Sequence, residues 1–178
     1  MRGYFGICVE GVSKAMNVGS LMRTAHAFGA SFVFTIAAAY AREEGNLADT
    51  SDTPASVPLY EFADLKSFRL PTGCALVGIE LLDDAVDLPT FRHPRACAYV
   101  LGAERRSLSP ELAARCEHVV KIPTRFSINL ALAGALVMYD RLLNLGGYPP
   151  RPEMPGAAVP ELKEHVFGRP KSRRPPGG

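Results

Sequence analysis

The stretch ACAYVLGAERRSLSPELAARC, Ala96–Cys116, decides the fold. Its opening run, Ala96–Leu101, carries no charge and no break, which is the signature of a strand buried on both faces. The run stops at Gly102, a short loop carries Glu104, and Ser109-Pro110 then supplies a helix N-cap followed by a proline in the first helical position. A buried strand that passes through a short loop into a helix is half of a parallel βα unit. The same alternation recurs outward in both directions. Strands are predicted at Tyr4–Val9, Ser31–Ile36, Ala75–Glu80, Ala96–Leu101 and His118–Ile122. Helices are predicted at Val18–Phe28, around Ala63–Phe68, around Pro110–Cys116 and at Asn129–Leu143. The predicted class is α/β, a mostly parallel sheet flanked by helices. Between Ala37 and Pro58 no periodicity survives, and Gly45, Asn46, Pro54 and Pro58 mark a long loop of the kind that is often functional.

Composition sets the outer limits. The chain has 178 residues, 47% of them hydrophobic and 21% charged, which describes one soluble globular domain rather than a fibrous or disordered chain. A domain of this size buries roughly two-thirds of its unfolded surface, so it needs neither disulfides nor a structural metal. The longest apolar stretch, Ile128–Tyr139, is too short to cross a bilayer, which takes roughly 20 residues. The start, MRGYFGICVE, reaches an acid at Glu10 and lacks the apolar core of a secretion signal, so the expected address is the cytoplasm. Cys8, Cys74, Cys97 and Cys116 have no Cys-x-x-Cys spacing and read as buried free thiols. His26, His93, His118 and His165 show no ligand spacing either, and no metal centre is expected.

After Leu145 the composition changes. Residues 146–178 hold eight of the 15 prolines and six glycines, and end in GRPKSRRPPGG. The predicted organisation is a globular domain over 1–145 and a Pro/Gly-rich basic tail over 146–178, with one short helix at Glu161–Phe167. A net charge of +2 does not by itself advertise nucleic acid, but 15 of the 20 basic residues are Arg, whose planar fork suits phosphate. Surface solvation accounts for the same bias.

Three stretches could carry chemistry. In NVGSLMRTAHAFGA, Asn17–Ala30, the residues Val18, Leu21, Met22, Ala25 and Phe28 share one helical face, while Arg23 points roughly 140–160° away from it. Asn17 reads as an N-cap and Gly19 as a point of close approach, so an anion could lie between Asn17 and Arg23; a capped helix with one solvated Arg is the plainer alternative. In the second stretch Glu104 sits just past a strand's carboxyl end, where open α/β sheets bind ligands, or else is a surface acid beside Arg105 and Arg106. In the third, VVKIPTRFSINLALAGALVMYDRL, a strand runs into Pro123 and the polar pair Ser127 and Asn129 brackets the start of a long apolar helix. Ser127 could be a simple N-cap and Asn129 a first-turn polar residue, or the two could equally serve a ligand. A helix apolar nearly all round must be covered by a core or a second subunit, which makes a homodimer the expected state. No Gly-x-Gly-x-x-Gly and no phosphate-binding P-loop motif is present.

In this order and spacing the three stretches resemble the three motifs of the SpoU/TrmH class of SPOUT RNA ribose 2′-O-methyltransferases. The Asn-x-Gly-x-x-x-Arg motif is matched by Asn17, Gly19 and Arg23; Leu-Gly-x-Glu by Leu101, Gly102 and Glu104; and Ile-Pro followed by Ser-x-Asn by Ile122, Pro123, Ser127, Ile128, Asn129 and Leu130. Arg105, Arg106 and Ser107 replace the usual glycines, and the segment Thr124–Phe126 is shorter than usual. The resemblance covers residues 3–145. It implies a C-terminal deep trefoil knot, an exception to the rule against knotted chains, with S-adenosyl-L-methionine held by Leu101, Gly102, Ile122, Pro123, Ser127, Ile128 and Leu130. It also implies a homodimer whose catalytic residues are Arg23, Asn17, Glu104 and Asn129, acting on RNA, with tRNA expected because no accessory RNA-binding domain is recognised. The family account makes Arg23 a general base; because a guanidinium normally keeps its proton, a phosphate clamp is the physically preferred role. A catalytically idle RNA-binding dimer and a base-modifying methyltransferase are the rival readings.

Overall fold

The computed structural model describes residues 3–39, 57–103, 106–146, 148–149, 151–152 and 154–157. The chain divides into two units, 1–146 and 147–178. In the second, the described residues include a turn closed by the Ala157 amide on the Met154 carbonyl at 3.2 Å.

In the first unit seven strands form one sheet: β1 (Tyr4–Glu10), β2 (Phe32–Ile36), β3 (Leu59–Phe62), β4 (Ala75–Ile79), β5 (Val86–Asp87), β6 (Ala96–Leu101) and β7 (His118–Lys121). Their order is β3-β2-β1-β6-β4-β7-β5, and each pairing is parallel. Among the described residues three helices accompany them, α1 (Ala15–Ala27), α2 (Pro110–Ala113) and α3 (Leu130–Leu145), with a 3-10 turn at Leu88–Thr90. The five strands predicted from apolar runs are β1, β2, β4, β6 and β7, and their ends agree to within a residue or so; in β1, β2, β4 and β6 near-continuous burial on both faces leaves a continuous apolar code.

Side chains alternate across the sheet and divide the core in two. On one face Ile7, Val9, Val33 and Tyr99 pack with Val18, Leu21 and Met22 of α1 and with Val137 and Met138 of α3. On the other, Cys8, Phe34, Ile36, Ala98 and Val100 pack with Phe68, Leu108 and Leu112. Helix α3 packs closely on α1 and β1 at Gly134, where a Cβ would lie 2.5 Å from Leu21 Cδ1 and 3.1 Å from Ile7 Cδ1. All four cysteines are free thiols, three buried and Cys116 half-buried. Burial, reinforced by the nearby Glu10 carboxylate, pushes the Cys116 thiol up to about 11.

Several expectations require correction. The helix predicted around Ala63–Phe68 is a turn, in which the Ser67 amide donates to Asp64 Oδ1 at 2.7 Å and the Ser67 hydroxyl to the Asp64 carbonyl at 2.8 Å. Short polar side chains compete locally for the backbone, and a stretch this brief cannot repay helix nucleation. The helix expected to reach Cys116 ends at Ala113, because the Arg115 and Cys116 amides bond three residues back, to Leu112 and Ala113, and tighten the last turn. Two strands had no prediction, β3 and β5; both are short, largely exposed and lie at the sheet's edges. Helix α1 begins at Ala15 with Lys14 before it, so Asn17 is not its N-cap but a buried residue of its first turn. Most of the predicted loop Ala37–Pro58, and the helix Glu161–Phe167, lie outside the described residues.

Buried polar bonds fix α3 near its C-terminal end. Arg141 donates to the carbonyls of Pro94 (2.7 Å), Arg95 (2.7 Å) and Tyr4 (3.3 Å) and to Tyr99 Oη (3.2 Å), with its guanidinium over the Phe5 ring. His93 bridges Tyr99 Oη (2.5 Å) and Asp140 Oδ2 (2.9 Å). A buried cation with this many partners offsets its own desolvation and locks the register of helix against sheet.

Candidate active site

Parallel strands deliver their loops to one edge of the sheet, and the reversal of strand order between β1 and β6 opens a crevice there. Two glutamates, each at or just past a strand end, fold the loop after β6 into place. Glu10, closing β1, accepts the Ser109 amide at 2.7 Å and its hydroxyl at 2.6 Å. Glu80, following β4, accepts the Leu108 amide at 2.9 Å and the Leu81 amide at 3.0 Å, while its own amide donates to the Val120 carbonyl at 3.0 Å. Ser109 also caps α2 by accepting the Leu112 amide at 3.2 Å, as its place before Pro110 predicts.

The loop then folds back on Gly102. A Cβ at that residue would lie 2.6 Å from the Arg106 carbonyl oxygen and 3.1 Å from the Leu108 nitrogen, both backbone atoms that cannot step aside. Glycine is therefore demanded by close approach rather than by an unusual φ.

These segments enclose a cavity of about 370 Å³, lined by the β4 end (Ile79–Leu81), the β6 end and loop (Leu101–Ala103, Arg106, Ser107), the segment after β7 (Ile122, Thr124, Ser127, Ile128) and the start of α3 (Leu130, Ala133). Its size falls in the range of small-molecule pockets, roughly 300–1,000 Å³. Of the seven residues expected to hold a cofactor, Leu101, Gly102, Ile122, Ser127, Ile128 and Leu130 line it, and Pro123 does not. The shortened Thr124–Phe126 segment closes as a tight turn, with the Thr124 amide on the Ile122 carbonyl at 2.7 Å and its hydroxyl on the Phe126 carbonyl at 2.9 Å. Arg106 and Ser107, standing where glycines are usual, line the wall as well.

Asn129, between two lining residues, is the N-cap of α3: its Oδ1 accepts the Ala131 amide at 2.9 Å and the Leu132 amide at 3.4 Å. Its Nδ2 donates to Asn17 Oδ1 at 3.2 Å, which joins the first motif to the third. The cap is thus Asn129 and not Ser127, which faces the cavity. Arg23 is exposed on α1, six residues past Asn17, and is not among the lining residues. Glu104 and Arg105 lie outside the described residues. Reading residue types alone overlooked Glu10 and Glu80, although each is an acid directly after an apolar run, CVE and GIE, at the edge where ligands bind.

Residues 4–139 match the model of the SpoU rRNA Methylase family. The chain belongs to this family. Among curated relatives, this SpoU chain is 26% identical over 139 residues to a tRNA (guanosine(18)-2′-O)-methyltransferase of Escherichia coli K12, covering 75% of this chain and 61% of that protein. It thus spans somewhat less than two-thirds of that relative's length. Among solved structures, the SpoU chain superimposes with a TM-score of 0.73 and 24% identity on a protein studied for 2-OH methylation of C/U34 on tRNA, covering 83% of this chain and all of that one. With an AdoMet-bound rRNA methyltransferase from Sinorhizobium meliloti the TM-score is 0.72 at 22% identity, over 82% of this chain and 58% of the other. These likenesses establish the SpoU fold.

Proposed function

We propose that this SpoU chain transfers the methyl group of S-adenosyl-L-methionine to a ribose 2′-hydroxyl of RNA, with tRNA as the substrate class. One observation carries the reading: segments from four parts of the chain, ending β4, β6 and β7 and opening α3, form a single cavity whose wall includes six residues of the cofactor motifs. The lining fits such a cofactor. Ile79, Leu101, Ile122, Ile128 and Leu130 offer apolar surface to an aromatic base, Glu80, Arg106, Ser107 and Ser127 offer polar groups, and the loop closes over Gly102 where any side chain would clash. The names of the relatives, in which tRNA 2′-O-methylation recurs, favour the same substrate.

When bound, the cofactor supplies a methyl already activated on a sulfonium. The chain's own residues then have to place a poor nucleophile in line with it. Asn129, which lies between the lining residues Ile128 and Leu130, and Asn17, held to it, orient the ribose; Arg23 clamps an RNA phosphate; Glu104 fixes Arg23. Arg23 acts as a clamp because a guanidinium does not give up its proton in a protein. Ser127 shapes the cofactor's side of the pocket.

The same reading assigns 1–145 as the catalytic domain and 146–178 as a basic tail. It takes the chain through a deep trefoil knot around β6 and β7, whose outgoing segments both wall the cavity. It makes the working enzyme a homodimer. Support for the dimer is the row Leu132, Leu136, Tyr139 and Leu143, exposed at helical spacing along one side of α3. A cytoplasmic setting belongs to the same proposal; no helix among the described residues is long and apolar enough to cross a membrane.

The test is transfer of labelled methyl from S-adenosyl-L-methionine to bulk tRNA. The full chain labels RNA, and Arg23→Ala lowers transfer by orders of magnitude while cofactor binding survives. Near-normal turnover by Arg23→Ala removes that residue from the catalytic set, and the absence of label with the unaltered chain refutes the activity.

A further inference from the structure

The two glutamates that hold the loop after β6 are not equivalent. Glu10 spends both carboxylate oxygens on Ser109, at 2.6 and 2.7 Å, and has no part in the cavity wall. Glu80 gives one oxygen to each of two backbone amides, Leu81 and Leu108, and does line the cavity. A carboxylate has about four acceptor positions, so this arrangement leaves one on each oxygen. The pair of amides also fixes the plane of the group. Glu80 is the point at which three walls meet: its backbone amide bonds β7 through Val120, its side chain bonds the loop after β6, and it directly follows β4. Among the described residues it is the one carboxylate in the cavity wall; the other polar side chains there are Arg106, Ser107, Thr124 and Ser127, and the Thr124 hydroxyl is engaged with the Ile122 and Phe126 carbonyls.

Two adjacent, rigidly held acceptors match a ligand group with two adjacent O–H donors. Of the parts of an adenosyl cofactor, the ribose with its vicinal 2′- and 3′-hydroxyls has that form; the base calls for apolar walls, which Ile79, Leu101 and Ile122 supply. Hydrogen bonds to an ionised acceptor are among the stronger and more selective kind, and a carboxylate just past a parallel strand is a physically established way of binding a ribose diol. We infer that Glu80 is a cofactor-specificity residue, whose carboxylate accepts the two ribose hydroxyls of the bound adenosyl group while its amide contacts hold the loop that covers that group. This rests on the methyl-transfer reading above.

Isothermal titration of the full chain with S-adenosylhomocysteine and with its 2′-deoxy and 3′-deoxy analogues tests the inference without any turnover. The unaltered chain should bind each deoxy analogue about 10- to 100-fold more weakly than the parent, the loss expected for a hydrogen bond to a charged group. In Glu80→Gln, which retains one acceptor oxygen and replaces the other by a donor, the parent should bind more weakly and the preference over the deoxy analogues should shrink to about threefold or less. A merely structural role for Glu80 would lower all three affinities together and leave their ratios unchanged, which overturns the inference. So does a carboxylate that faces the amino group of the ligand instead, with the same pattern of unchanged ratios. If Glu80→Gln fails to fold, the unaltered chain still decides: deoxy analogues bound as tightly as the parent refute the diol contact. No binding of S-adenosylhomocysteine at all would refute the methyl-transfer reading itself, an outcome distinct from a failure of the Glu80 assignment alone.

Discussion

Asn129 Nδ2 donates to Asn17 Oδ1 at 3.2 Å, a bond between residues 112 positions apart in the chain. Asn129 also caps α3 through its Oδ1, so one side chain both starts the helix and ties it to α1 beside the cavity. These two duties can be separated. Asn129→Asp keeps the acceptor for the helix amides and loses the donor to Asn17, so thermal stability should hold to within about 1 kcal/mol while methyl transfer falls at least tenfold. Asn129→Ala loses both, costing roughly 1–2 kcal/mol of cap and removing one hydrogen bond to the buried Asn17. Equal activity in Asn129→Asp and the unaltered chain would restrict Asn129 to capping.

Two crowded glycines should respond differently to a single methyl group. At Gly102 the added Cβ meets the Arg106 carbonyl at 2.6 Å, so Gly102→Ala must open the loop over the cavity. Cofactor affinity should drop tenfold or more, measured by titration, with a small change in melting temperature. At Gly134 the Cβ meets the flexible end of Leu21 inside the core, so Gly134→Ala should cost about 1–3 kcal/mol of stability and leave cofactor affinity nearly intact. The reverse pattern would mean that the loop after β6 does not cover the ligand.

The exposed row on α3 predicts an assembly. Leu132 is 61% and Leu136 43% exposed, and neither contributes to the core of the protomer, so Leu132→Glu with Leu136→Glu should leave folding within about 0.5 kcal/mol per site. Sedimentation should show a dimer for the unaltered chain and a monomer for the double variant. A monomer in both cases removes the dimer from the account.

Burial sets the charge state of His93. Desolvation lowers its pKa below the ordinary value and outweighs the opposing pull of Asp140. The unfolded chain then binds a proton that the folded chain refuses, so this residue costs stability as pH falls below about 6.5, the ordinary imidazole value, and contributes no slope above it. Melting temperature should fall between pH 7 and pH 5, and His93→Gln, which retains hydrogen-bonding capacity toward Tyr99 or Asp140, should flatten that part of the profile. An unchanged slope would assign the acid sensitivity to other groups.

What the sequence makes legible follows from which physical code is continuous. β1, β2, β4 and β6 are spelled by apolar runs because both of their faces are covered, whereas β3 and β5 sit at the edges, half in water, and have no such run. Six of the seven residues expected from the family motifs to hold a cofactor line the cavity, because those motifs are tied to strand ends, where topology alone brings the chain to one edge. Glu10 and Glu80 stay hidden because a strand-terminal acid is common on any surface; only the backbone amides of residues 81, 108 and 109, folded against them, give them meaning. Asn17 reads as a helix cap from local sequence for a similar reason, although it lies within the first turn of α1. Its partner lies on another helix, and no local rule could name it.

The account stands or falls on the chemical identity of the product. Bulk tRNA treated with the full chain and S-adenosyl-L-methionine can be hydrolysed in alkali and examined by mass spectrometry. The account predicts one new alkali-resistant dinucleotide carrying a single extra methyl on its 5′ ribose, because a blocked 2′-hydroxyl cannot cleave the neighbouring linkage. A methylated nucleotide released as a monomer would place the methyl on a base and contradict the central claim.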